Sequence, residues 1–142
     1  MSISNLIKRI LALLMLVFVN IAYADVVVIV SAKSPITSLS ADQVSKIFLG
    51  KSATFPNRKP AYPIDQQIGS AVRDEFYAKV VHKDSSQLAA YWAKIIFTGE
   101  GRPPKLIVGD KAVVKTIADN PDAIGYIESS SLNHSVKAVL VP

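Results

Sequence analysis

The sequence has no cysteine, which excludes disulfides, thiolate metal sites and thiol nucleophiles. Histidine is nearly as scarce. His82 and His134 stand far apart, and neither has a second ligand at H-x-x-x-H spacing. No G-x-S-x-G elbow or Walker loop occurs. Gly99-Glu100-Gly101 carries too few glycines, and no following Lys-Ser/Thr, to cradle a nucleotide. The paired carboxylates Asp74 and Glu75 point to different sides of a helix and are read as solvated. No stripe of Lys and Arg with interleaved aromatics is present, so nucleic acid is excluded as a partner. Together these absences argue against an enzyme and against a bound cofactor or metal.

What is present begins with an address. Lys8 and Arg9 form a basic n-region, Ile10 to Val19 an apolar h-region, and Ala22-Tyr23-Ala24 an A-x-A cleavage signal. Residues 1–24 are therefore expected to be a signal peptide, with a mature start at Asp25 and a periplasmic destination. Asn20 and Asp25 break the apolar run that a membrane anchor would need, and an ionised aspartate at mid-membrane costs roughly 2.5–3.5 kcal/mol. Without Lys8 and Arg9 the formal charge of +5 falls to about +3, a mild bias compatible with a small anion. Residues 25–142 amount to one small domain, long enough to fold without staples.

Strand and helix signals alternate along that domain. Val26 to Val30 is a β-branched run suited to a strand buried on both faces. Ser40 with Gln43 forms a capping box, Leu39 and Val44 a hydrophobic staple, and Val44, Ile47 and Phe48 an apolar face ending at Gly50. Ala61 to Ile64 is a strand candidate. Ser70 starts a helix with Val72, Phe76 and Val80 on one side. Asp84 and Gln87 cap the strongest amphipathic segment, whose stripe is Leu88, Tyr91, Trp92, Ile95 and Ile96. Leu106 to Val108 reads as a strand, and Asp110 as the cap of a helix bearing Val113, Val114 and Ile117. Ile124 to Ile127 and Val136 to Val141 complete the strands. The alternation predicts an α/β three-layer sandwich around a central mixed sheet.

The stretch from Ser38 to Lys51 resembles the Leu-Ser…Ile-Phe-Leu-Gly-Lys segment of phosphate-type substrate-binding proteins of ABC transporters. Gly69-Ser70, Arg73 and Phe76 resemble that family's Gly-Ser-x-x-Arg-x-x-Phe helix start. Tyr91-Trp92, Phe97-Thr98-Gly99, Pro103-Pro104 and Ala123-Ile124-Gly125-Tyr126 follow in the order found in short exported relatives. The resemblance implies one lobe of a type II periplasmic binding protein. It also implies solute binding, of an inorganic oxyanion such as phosphate, and a membrane transporter or sensor as a protein partner. A chain of one lobe lacks the second wall of a classical site, so a protein-interaction or sensory module that kept the fold is the other reading.

Gly69 and Ser70 are the first ligand candidates, because a helix N-terminus presents unpaired N–H groups to an anion. Arg73, one turn in, could fork onto the same anion. Ser70 could equally be a plain N-cap, with Arg73 paired to Asp74, Glu75 or solvent. Asp65 stands where the two-lobed binders carry an arginine, and a carboxylate there repels a dianion unless protonated or paired with Arg73. Ala71 and Val72 replace the family's Gly and Thr. Ser31, after the first strand, and Thr98 are further candidates for the same cleft.

Overall fold

The computed structural model describes residues 2–5, 7–8 and 25–142, so the expected signal peptide lies almost wholly outside the described residues. Among these, no helix is long and apolar enough to cross a membrane. The first strand, β1 (Val26–Ser31), is buried along its whole length, as its unbroken β-branched run requires. Helix α1 (Ala41–Phe48) opens on the complete Ser40–Gln43 capping box and buries Val44, Ile47 and Phe48. Leu39, ahead of the cap, joins them in one core.

Strand β2 (Tyr62–Asp65) leads into helix α2 (Ala71–Phe76), which continues as a π-helical turn over Tyr77–Val81. Helix α3 (Ser85–Thr98) starts on the Asp84–Gln87 capping box and ends on left-handed Gly99. Two-residue strand β3 (Lys105–Leu106), helix α4 (Asp110–Asp119), strand β4 (Ala123–Glu128), a 3₁₀ turn at Ser129–Ser131 and strand β5 (Val136–Leu140) follow.

The five strands form one sheet in the order β3-β2-β4-β1-β5. Strands β2, β3 and β4 run parallel, whereas β1 is antiparallel to both β4 and β5. Alternate residues of β1 and β4 feed opposite faces. Val26, Val28, Val30, Ile124 and Tyr126 enter the core under α1, α2 and α3. Val27, Ile29, Ala123 and Ile127 enter a second core under α4. The result is the α/β sandwich with a mixed central sheet. Helix α4 approaches closely because Gly125 has no side chain: a Cβ there would stand 3.2 Å from Ile117 Cδ1 and 3.3 Å from Val113 Cγ1.

The long amphipathic stripe is narrower than its periodicity predicts. Leu88 and Trp92 are buried, Tyr91 and Ile95 are partly buried, and Ile96 is 58% exposed. The helix touches the core along one seam, Leu88, Trp92 and Ile95, and Ile96 stands to one side of it. Strand β3 is likewise shorter than Leu106 to Val108 suggests, since Val108 has already left the ladder.

Candidate functional site

Parallel strands β2, β3 and β4 present their C-terminal ends to one edge of the sheet, where loops of α/β proteins build ligand sites. Asp65 is the last residue of β2 and is buried. Its Oδ1 accepts hydrogen bonds from the Gln66 backbone N–H at 2.8 Å and from the Tyr126 hydroxyl. Its Oδ2 accepts from the Tyr77 hydroxyl at 2.8 Å and from Arg73 Nη2 at 3.5 Å. Arg73 Nε lies 3.4 Å from Oδ1, and the guanidinium carbon stands 5.1 Å from the Tyr77 ring centroid. The arginine expected to meet a ligand is thus buried and answers a carboxylate of its own chain.

A second carboxylate closes the neighbouring part of this edge. Asp110 is not the side-chain cap of its helix. Gly109 holds the cap position without a side-chain bond, while the Asp110 carboxylate accepts from Gln66 Nε2 at 2.9 Å, the Glu128 N–H at 3.0 Å and the Ser131 hydroxyl at 2.7 Å. Its place in the first turn of α4 also suits a negative charge. Gln66 connects the two acids, its backbone N–H donating to Asp65 and its Nε2 to Asp110, and Nε2 donates also to the Tyr126 carbonyl at 2.7 Å. Residues Gln66, Tyr77, Asp110 and Tyr126 carry this network, and no motif in the sequence announces them. The one available signal was Asp65, an acid out of place beside Arg73.

The remaining candidates separate. Ser70 is the N-cap of α2, its hydroxyl oxygen accepting from the Arg73 N–H at 3.4 Å. Gly69 adjoins it at φ +89°, with nothing within 4 Å of where a Cβ would stand. Gly69, Ser70 and Arg73 therefore share one helix start. Ser31 does not join them. Because β1 is antiparallel to β4, its C-terminal end lies beside the N-terminal ends of β2 and β4, and the buried Ser31 hydroxyl donates to the Ala118 carbonyl at 3.1 Å. Thr98 donates to the Lys94 and Ile95 carbonyls of its own helix. Glu75, expected in solvent, has a nearly buried carboxylate paired with Lys79 at 2.6 Å.

Burial, reinforced by the Asp65 charge, holds the hydroxyls of Tyr77 and Tyr126 far above the ordinary tyrosine value of 10.0. The folded state keeps both protons at a pH where the unfolded chain begins to lose them. Their stabilising contribution is therefore complete below about pH 10 and drains away above it, by up to about 1.4 kcal/mol per pH unit for each tyrosine. Urea unfolding should show a midpoint falling steeply above pH 10, and Tyr126→Phe should flatten that limb. A wild-type midpoint level across that range would mean that both phenols ionise in the folded state.

No protein-family model matches the chain, and no curated protein matches it. Solved structures do. A putative phosphate ABC transporter substrate-binding protein with bound phosphate from Clostridium perfringens is 23% identical at a TM-score of 0.63. An ABC-type phosphate transport receptor from Vibrio cholerae is 17% identical at 0.64, and PstS from Borrelia burgdorferi 13% identical at 0.61. The fold matches one lobe of these phosphate-binding proteins. Each comparison covers 81% of this chain but only 44–46% of the other, so the chain spans less than half the length of the proteins it resembles. The shared feature is architecture, and the edge of the sheet where Asp65 meets Arg73 has to be read on its own chemistry.

Proposed function

We propose that this chain is an exported recognition module on one lobe of the phosphate-type binding fold, engaging a protein partner through the edge formed by the C-terminal ends of β2 and β3. The observation that carries this reading is the Asp65–Arg73 pair. The cation that would attract an oxyanion already faces a buried carboxylate. An anion entering there has to displace Asp65 or share Arg73 with it against like-charge repulsion. Beside the network, apolar side chains stand exposed in the loops that follow β2 and β3. Ile68, in the loop after β2, is 66% exposed, Val108, in the loop after β3, is 62% exposed, and Leu106 at the end of β3 is exposed as well. Such residues at the rim of a polar cluster already paired within the chain suit contact with another protein better than solvation of an ion.

The partner that fits an exported module is the exterior of a membrane transporter or sensor. A photo-crosslinking residue placed at Ile68 or at Val108 should capture one and the same membrane protein in intact cells. The same probe at Lys115, exposed on α4, should not. Capture from all three positions alike, or from none, contradicts the reading.

A second reading, binding of phosphate or a similar oxyanion, has one observation in its favour. Arg73 Nε is buried without a hydrogen-bond partner, and Gly69 leaves the backbone before Ser70 open to close approach. In that case the anion takes the first-turn N–H groups, the Ser70 hydroxyl and Arg73.

A further inference from the structure

A cavity of about 690 Å³ opens alongside β2, at Tyr62, Pro63 and Ile64. Strand β3 pairs only with Ile64 and Asp65, so the sheet edge at Tyr62 and Pro63 has no neighbouring strand on that side. The cavity fills this gap. Ile47, Phe48 and Trp92 line it from the core under α1 and α3, and Thr116 of α4 and Asn120 just after that helix line it from the other side. The stiff Pro103-Pro104 segment borders it, with Arg102 on one side and Lys105 on the other. Among the described residues neither cation has an acid within ion-pairing distance.

We propose that this groove binds a small amphiphilic anion, an aromatic or branched carboxylate. Its apolar body lies against Trp92 and the proline pair, and its carboxylate is held between Arg102 and Lys105. The volume falls within the range of small-molecule sites, and an apolar lining with a few polar groups at the rim is their usual chemistry. An added peptide strand fits less well, because Pro63 has no N–H to offer the edge. A bare inorganic anion fits less well still, because the aromatic and proline surfaces have nothing to contact. The groove borders the Asp65 edge at Ile64 and Lys105 but does not rest on the reading proposed for that edge.

The chain's single tryptophan lines the groove and reports on occupancy. Titration with 3-phenylpropanoate should change Trp92 fluorescence saturably at millimolar concentration or below. The neutral 3-phenylpropanamide should bind at least about tenfold more weakly, and so should 3-phenylpropanoate to the Arg102→Gln, Lys105→Gln double variant. Both residues are exposed, so an unchanged thermal midpoint in the variant separates lost binding from lost folding. Inorganic phosphate should leave the fluorescence unchanged. No saturable change, equal binding of the amide, or equal binding by the double variant overturns the proposal.

Discussion

Asp65→Asn should destabilise the protein by about 3–5 kcal/mol, because it leaves the Arg73 guanidinium buried without a counter-charge. The carboxylate is buried and accepts from two phenols and one backbone N–H besides the arginine. An amide in its place accepts through one oxygen only, and its NH₂ group faces donors. Removing the cation as well should restore much of the loss. Asp65→Asn, Arg73→Met should therefore unfold at a higher urea concentration than Asp65→Asn alone, since a buried pair is replaced more cheaply than it is broken. The single variant should also gain a property the wild type lacks, stabilisation by phosphate or sulfate, as a free buried cation seeks an anion. A loss below about 1 kcal/mol would match a solvent-exposed pair and would mean that Asp65 does not hold Arg73.

Phe76→Ala should cost about 3–5 kcal/mol, the amount expected for an aromatic cut out of a packed core. Phe76 is fully buried and stacks on Tyr126 at 4.0 Å between centroids with planes 6° apart. It also meets Phe48 edge-on at 4.7 Å and Tyr77 at 5.0 Å. This cluster ties α1 and α2 to β4 and sets the position of the two phenols on Asp65. The variant should therefore also lose part of the steep alkaline limb described above. Chemical unfolding across pH reads both effects, and a loss under about 1 kcal/mol would place Phe76 outside the tightly packed core.

The fold was largely legible because its elements carry strong local signals. Both capping boxes appear where Ser40–Gln43 and Asp84–Gln87 place them, and the Val26 run is buried on both faces. The boundaries that differ depend on tertiary contact. Ile96 satisfies the helical period yet lies to one side of the seam by which α3 meets the core, and strand β3 is set by two residues of β2 rather than by its own apolar run.

The site was legible only in part. Local spacing offers Asp74, Glu75 or solvent to Arg73, and the pair it forms with Asp65 enters the sequence only as one way a carboxylate could stand beside an anion. Tyr126 reaches Asp65 across 61 residues of sequence, and Asp110 reaches Ser131 across 21. No spacing rule joins such residues. Ser31 illustrates the opposite failure: a loop after the first strand suggests a ligand edge only if that strand runs parallel to the others, and β1 does not.

Calorimetric titration of the purified protein with inorganic phosphate decides whether Asp65 has taken the place of a bound anion at Arg73. The account predicts no saturable heat at millimolar phosphate from the wild type, and a saturable signal from Asp65→Asn. Tight binding by the wild type that disappears in Arg73→Ala would contradict it.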